Sequence, residues 1–310
     1  MHMKIYTIFD DFDNDAAEVI RNAGITLDIH PLGVPRPDSK QMKQIIETYD
    51  GVIIGTTQKI TKDMFDNIAS QRIIATASVG LDHIQVPDQK NNLITIFNTP
   101  KANAQAVAEY TFAVALSCCK RISEGNYLYR SGKSNKQLKK KPVELYGKTL
   151  GVIGAGNISR RIIDFGLFFG MRVICWTHNI SKHKDLSEKG ICFCSLEDIA
   201  KKADIISVNL PYNQGTKGII SEHLISMMKH EAVFISISRL PCVNAEALIK
   251  KSTEFQNFYT CLDIDVDKTI TQLVGNLENI IVTPHIAGGT VETRNRMFME
   301  LAEQIVDLVI

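Results

Sequence analysis

The sequence lacks a charge excess of either sign: 35 lysines and arginines stand against 34 aspartates and glutamates, for a formal net charge of +1. Gripping nucleic acid or an anionic membrane takes a surplus of cations, so neither partner is expected. It also lacks any apolar run long enough to span a bilayer. The start, Met1-His2-Met3-Lys4, enters a strand-like segment without a signal-peptide pattern, from which a cytoplasmic location is expected. Met1-His2 ahead of a second methionine reads as a cloning remnant. No internal repeat at a solenoid period is present. The seven cysteines (Cys118, Cys119, Cys175, Cys192, Cys194, Cys242 and Cys261) form no Cys-x-x-Cys pair and mostly lie in apolar runs, which predicts buried free thiols. No metal-ligand set is expected.

What is present is enough for two globular cores: 310 residues, 45% hydrophobic and 22% charged. A small metabolite suits such a balanced chain better than a macromolecule. In the first third, residues 5–9, 52–54, 73–77 and 94–97 read as short buried strands, and residues 16–23 and 42–49 carry helical spacing, together a small parallel-sheet domain. Asn98-Thr99-Pro100 breaks that pattern. Residues 102–129 read as one long helix that can carry the chain between domains, and the lysine-rich residues 133–141 read as a solvated loop. Strands are then expected at 150–153, 173–176, 205–209, 233–237, 259–263 and 280–282, with helices between them. Ser195 offers a capping-box-like helix start. The final run, 291–310, is helical and able to fold back on the first domain.

The most informative segment lies mid-chain, where the apolar run Leu150-Gly151-Val152-Ile153 leads into Gly154-Ala155-Gly156-Asn157-Ile158-Ser159. A strand entering Gly-x-Gly at the mouth of a helix brings backbone N–H groups against a dinucleotide pyrophosphate. Gly154 allows the tight turn and Gly156 leaves room for the phosphates. Ser159 stands where the third glycine is usual and adds a hydroxymethyl where helix and strand pack closely. The next strand ends in Thr177-His178-Asn179, with no carboxylate to repel a 2′-phosphate. Arg172, His178, Lys182 and Lys184 are close in sequence, so NADP(H) is favoured over NAD(H), although a threonine hydroxyl also serves the ribose of NAD.

Several further segments follow in one order: Ser78-Val79-Gly80-Leu81-Asp82-His83-Ile84, Asn98-Thr99-Pro100 to Asn103, Ala106-Val107-Ala108-Glu109, Gly147-Lys148-Thr149-Leu150, Asn209-Leu210-Pro211, Ser238-Arg239 and Thr283-Pro284-His285. In these the chain resembles the D-isomer-specific 2-hydroxyacid dehydrogenases along nearly all its length. The resemblance implies two Rossmann-like α/β domains with parallel sheets and a cleft between them. The cofactor domain, 99–283, is inserted into a discontinuous flavodoxin-like substrate domain, 1–98 plus 284–310. It implies hydride transfer between a nicotinamide cofactor and a small 2-keto or 2-hydroxy acid such as glyoxylate, hydroxypyruvate or pyruvate, in a homodimer formed through the cofactor domain. His285 would exchange the proton with the substrate oxygen, and Arg239 would fork the carboxylate. Val79 and Gly80 would hold the carboxylate's other side through backbone N–H groups, with Thr57 in the loop Gly55-Thr56-Thr57-Gln58 as a further substrate contact. Cofactor contacts are expected at Gly154, Ala155, Gly156, Asn157, Ile158, Thr177, His178, Leu210, Pro211, Thr216, Ile237, Ser238, Asp263 and Gly288.

The chain departs from the family pattern around its catalytic pair. Counted from Asp263, the position of the usual carboxylate beside the histidine falls on Lys268. The segment up to His285 is one residue short, however, and a deletion would bring Asp267 there, so Asp267 is the preferred partner of His285. The family's Arg-Gly is Arg239-Leu240 here, and an expected asparagine is Ser236, so Leu240 is expected to add bulk beside the nicotinamide. The competing reading is a nucleotide-sensing, catalytically weak binding protein like the family's corepressor members, favoured by loss of the carboxylate beside His285.

Overall fold

The computed structural model describes residues 3–309. Met1 and His2, read above as a remnant, and Ile310 lie outside the described residues. Contacts divide the chain into two compact units, one running up to Asn103 and resuming at Thr290, the other spanning Ala104–Gly289. The expected breaks, 98/99 and 283/284, lie a few residues earlier. Residues 98–103 stay with the first unit because Gln304 Nε2 donates to the Asn98 carbonyl (3.1 Å) and Arg296 Nε to the Ala102 carbonyl (3.0 Å). The turn after residue 283 stays with the second because Asp263 accepts from the backbone N–H of Ile286 and Ala287.

The first unit contains β1 (Lys4–Thr7), α1 (Asn14–Asn22), β2 (Thr26–Ile29), α2 (Ser39–Thr48), β3 (Gly51–Ile54), β4 (Arg72–Thr76) and β5 (Ile94–Phe97). All strand pairs are parallel in the order β2-β1-β3-β4-β5, the flavodoxin-like arrangement. Asp13 caps α1, and Asp38 with Gln41 forms a capping box on α2. β2 carries no continuous apolar run: it is an edge strand whose one fully buried side chain is Leu27, which is why period alone misses it. The last helix packs into this unit's core through Phe298, Leu301, Ala302 and Ile305, with the Phe298 ring 4.5 Å from that of Phe12.

The second unit opens on α3 (Ala104–Lys120) and α4 (Ile122–Arg130), where a single helix was expected. Arg121 breaks it. This residue adopts the left-handed region (φ 57°), donates from Nε to Glu124 at 2.6 Å and lays its guanidinium 5.4 Å from the Tyr259 ring centre. The doubly wound sheet follows: β6 (Thr149–Ile153), α5 (Asn157–Phe168), β7 (Arg172–Trp176), α6 (Lys184–Glu188), β8 (Cys192–Phe193), α7 (Leu196–Lys202), β9 (Ile205–Val208), α8 (Glu222–Met227), β10 (Val233–Ser236), α9 (Ala245–Glu254), β11 (Tyr259–Asp263), α10 (Lys268–Val274) and β12 (Ile280–Thr283). The returning helix of the first unit is α11 (Val291–Asp307).

The seven strands run parallel in the order β12-β11-β10-β9-β6-β7-β8. The order reverses beside β6, the switch point at which ligands of open α/β sheets bind. β8, two residues long, is too short to leave a pattern. Ser195 caps α7 by accepting from the Asp198 N–H. All seven cysteines are free; five are buried, Cys194 is half-buried and Cys192 exposed. Residues 133–141 are mostly exposed. Among the described residues no helix is long and apolar enough to cross a membrane.

One position tests how tightly β6 is covered. A Cβ at Gly151 would lie 2.5 Å from Ile199 Cγ2 and 2.9 Å from Ala203 Cβ, both on the α7 side. Gly151→Ala is expected to destabilise the fold by about 1–3 kcal/mol through overpacking, read as a fall of several degrees in the thermal midpoint. An unchanged midpoint contradicts the packing described.

Candidate active site

The glycine turn sits where β6 hands over to α5. Gly154 has φ 107°, and a Cβ there would lie 2.7 Å from the Asn209 carbonyl oxygen, so only glycine fits. Gly156 is the N-cap of α5, with no side chain capping the helix, and a Cβ on it would meet no atom within 4 Å. Beside the first-turn amides of α5, that open space suits a pyrophosphate. Ala155 is buried beneath the turn, while Asn157 and Ile158 are half-buried in the first turn of α5. Close helix–strand packing falls on Gly166, whose Cβ would be 2.6 Å from Leu150 Cδ2. Ser159 is fully buried and its Oγ has no partner among the described residues.

At the carboxyl end of β7, Thr177 is half-buried and His178 exposed, its ring 4.6 Å edge-on from Trp176. Arg172 does not belong there. It is the first residue of β7, paired in register with Thr149, so a strand of roughly 3.3 Å per residue separates it from the nucleotide end. Lys182 and Lys184 are exposed at the correct end. Arg160, by contrast, is committed as a fork to Asp185, with His183 Nδ1 3.2 Å away. Burial beside that guanidinium pushes the His183 imidazole below its ordinary value.

Leu210, Pro211 and Thr216 form the loop after β9. The Thr216 hydroxyl donates to the Pro211 carbonyl (2.6 Å) and accepts from the Asn213 N–H (2.9 Å), and the residue is buried. Its side chain therefore shapes the loop that was expected to meet the cofactor. Ser238 Oγ likewise accepts from the Leu210 N–H (2.8 Å) and donates to the Val208 carbonyl (3.2 Å), pinning the ends of β9 and β10 together; Ile237 before it is half-buried. Leu240 packs against the second unit's hydrophobic core, so at least part of its bulk goes inward rather than beside the ring site.

Arg239 and His285 meet. Arg239 Nη1 lies 3.5 Å from His285 Nε2, and His285 Nδ1 lies 2.9 Å from Asp265 Oδ1. A carboxylate can only accept, so Nδ1 carries the proton and Nε2 is left facing the guanidinium donor. The partner of His285 is thus Asp265, not Asp267 or Lys268. Asp267 is the N-cap of α10, its side chain accepting from the Ile270 N–H at 3.0 Å, and Lys268 is that helix's first residue.

The histidine's backbone is left-handed (φ 54°), a costly conformation for a residue with a Cβ. What holds it is Asp263, which is 4% exposed. Its Oδ1 accepts from Thr283 Oγ1 (2.6 Å) and the Ile286 N–H (2.8 Å), and its Oδ2 from the Ala287 N–H (2.9 Å). Asp263, expected as a cofactor contact, is therefore the clamp of the histidine turn; Gly288, half-buried, follows on the same turn. Thr283 Oγ1 in turn accepts from the Tyr110 hydroxyl (2.6 Å), whose burial, reinforced by the Asp263 charge, pushes the phenol up to about 12. Sequence reasoning missed Tyr110, because nothing local signals a contact across 173 residues.

In the first unit, Val79 and Gly80 are half-buried on the loop after β4. Asn98 Nδ2 holds the Val79 carbonyl and Ser78 Oγ the Gly80 carbonyl, both at 2.8 Å. Thr57 is exposed, its hydroxyl bonded to Gln58 at 2.8 Å.

Residues 112–287 match the family described as D-isomer specific 2-hydroxyacid dehydrogenase, NAD binding domain. A hydroxypyruvate reductase of Thermotoga maritima is 31% identical, over 86% of this chain and 87% of that protein. A glyoxylate reductase of Aeropyrum pernix is 32% identical, over 81% and 77%. Among solved structures, an acyclic imino acid reductase in complex with NADPH and D-Arg superposes with a TM-score of 0.84 at 27% identity, covering 98% of this chain and 96% of that one. A D-lactate dehydrogenase from Aquifex aeolicus complexed with NAD and lactic acid gives 0.79 at 27% identity, with 99% and 94% coverage.

The two aspartates give a discriminating test. Asp265 is 81% exposed at its side chain, so water replaces much of what it does, and Asp265→Asn is expected to lower kcat only about tenfold, far less than for a buried partner. Asp267→Ala is expected to cost about 1 kcal/mol of stability as a lost helix cap and to leave kcat within about twofold. A larger kcat loss in Asp267→Ala than in Asp265→Asn, from steady-state kinetics, contradicts the assignment.

Proposed function

The chain belongs to the D-isomer-specific 2-hydroxyacid dehydrogenase family, and on that premise we propose how its residues carry out the reduction of a small 2-keto acid and the reverse oxidation. It is an oxidoreductase acting on CH–OH donors with a nicotinamide cofactor. The observation that carries the residue assignment is the 3.5 Å approach of Arg239 Nη1 to His285 Nε2, with Asp265 behind the ring. When bound, the nicotinamide supplies or accepts the hydride at the substrate's C2. Arg239 forks the carboxylate and the neighbouring carbonyl oxygen, drawing charge toward the oxygen as it becomes an alkoxide. His285, protonated at both nitrogens, gives its Nε2 proton to that oxygen and returns to the neutral tautomer whose Nδ1–H still points at Asp265. In the oxidation direction the same Nε2 takes the hydroxyl proton. Asp265 positions the ring and does not itself touch substrate.

The finer assignments belong to the same proposal. Glyoxylate and hydroxypyruvate are the proposed substrates, in keeping with the relatives named above. Val79 and Gly80 are proposed to bind the carboxylate through backbone N–H groups, with Thr57 near the substrate's side chain. Gly154, Ala155, Gly156, Asn157 and Ile158 are proposed to hold the pyrophosphate, Thr177 and His178 the adenosine ribose, and Leu210, Pro211, Ile237 and Gly288 the nicotinamide half. NADP(H) is favoured over NAD(H): no acid stands at 177–179, and His178, Lys182 and Lys184 are exposed at that end. A homodimer through the cofactor domain, without a nucleic-acid partner, completes the reading.

Cofactor oxidation with glyoxylate, hydroxypyruvate and pyruvate tests this directly. NADPH is expected to give a several-fold higher kcat/KM than NADH, and Arg239→Gln to lower kcat/KM by about 10²–10³ through loss of a charged fork. Gly156→Ala has room to fold, so it is expected to keep the thermal midpoint yet raise the cofactor KM by about tenfold or more. Cofactor binding with no turnover on any of the three acids would replace the enzyme reading by that of a nucleotide sensor.

A further inference from the structure

We propose that the second unit carries a binding site for a phosphate-type dianion at the amino-terminal edge of its sheet, at the opposite ends of the strands from Arg239 and His285. A cavity of about 180 Å³ opens there against Ile205, Val233 and Tyr259, the first residues of β9, β10 and β11. Strands of four or five residues, roughly 3.3 Å each, separate it from the carboxyl edge, so it is not part of the candidate active site.

The charges lining this cavity do not cancel. Lys140 pairs with Glu231 (2.5 Å), and Lys229 pairs with Asp204 (2.8 Å), whose other oxygen accepts from the Thr149 N–H. Arg121 pairs through Nε with Glu124. These three pairs are neutral. Lys141, exposed, and Lys148, half-buried, also line the cavity and make no ion pair among the described residues. Two positive charges remain, which an anion of charge −2 matches.

Arg121 supplies the recognition element. It is 6% exposed, lines the cavity, and has its Nε engaged by Glu124, while Nη1 and Nη2 make no hydrogen bond among the described residues. The forked end of this guanidinium opens to the cavity while its Nε is held by Glu124, and a tetrahedral or planar oxyanion fits that fork. The left-handed backbone at Arg121 and the stacking of its guanidinium on Tyr259 hold the fork in place. A second cavity, about 280 Å³, shares Cys118, Arg121 and Tyr259 with the first and continues past Tyr127 and Ile281. That adjoining space would take the organic body of a phosphate monoester, with the phosphate itself at Arg121, Lys141 and Lys148.

The test uses the intact protein saturated with NADPH, so that the nucleotide cradle is filled, and titrates it calorimetrically with inorganic phosphate and with phenyl phosphate at fixed ionic strength. Saturable binding is expected, tighter for phenyl phosphate if the ligand is a monoester and equal for the two if it is free phosphate. Lys141→Gln/Lys148→Gln, confined to lysines that make no ion pair, is expected to fold normally and weaken binding about tenfold or more while leaving NADPH affinity unchanged. Arg121→Lys, which keeps the charge and loses the fork, is expected to weaken it as well. No saturable binding of either probe, or the same affinity in the double variant, overturns the proposal. Neither readout depends on turnover, so failure here is separable from failure of the catalytic assignment.

Discussion

A single buried carboxylate holds the geometry of the candidate site together. Asp263 ends β11, and its two oxygens accept from one hydroxyl and two backbone amides of the turn that follows β12. An imidazole on an ordinary loop would sample many orientations. Here the turn is over-determined, which is what allows His285 to remain in a backbone region that a side chain normally avoids. The Tyr110 hydroxyl extends the clamp into α3, so the histidine is fixed to the first helix of its own unit as well as to the sheet. Removing any one of these bonds leaves a buried polar group without its partner, and such groups cost more than the bond they lose.

The sheet supplies the rest of the constraint. Because every strand of the second unit is parallel, their carboxyl ends share one edge, and the functional loops follow β6, β9, β10, β11 and β12 at that edge. Ser238 ties two of those ends together immediately before Arg239, which sets where the guanidinium starts. The amino ends gather a different chemistry: paired and unpaired cations around one buried arginine. One sheet thus presents two unlike polar surfaces, separated by an apolar interior of Val, Ile and Leu.

Much of this was legible in the residues, and the failures have physical causes. The buried strands carry continuous apolar runs and were found nearly in full, while β2 and β8, an edge strand and a two-residue strand, bury too little to leave such a run. The break at Arg121 escaped because no glycine or proline marks it; it is made by a side chain that bonds three residues ahead and packs on an aromatic ring from a distant strand. Arg239 and His285, singled out by motif, approach each other to 3.5 Å. The carboxylate beside the histidine was misplaced because spacing along the chain was used in place of spatial reach. Asp267-Lys268-Thr269-Ile270 already carried the signature of a helix cap, which takes that side chain out of play, and Asp265, two residues beyond the clamp, was the remaining acid. Arg172 was a misjudgement of the same kind, since nearness in sequence put it at the wrong end of a strand.

One guanidinium, set by Ser238, and one imidazole, held by Asp263 and Asp265, are proposed to act on the same substrate oxygen. A crystal structure with NADPH and oxamate, an unreactive analogue of a 2-keto acid, measures this most directly. The oxamate carboxylate is expected in the fork of Arg239, and its amide carbonyl oxygen within hydrogen-bond distance of both Arg239 and His285 Nε2, with Nδ1 still on Asp265. An oxamate bound away from Arg239, or an imidazole swung off Asp265 toward Asp267, would contradict it.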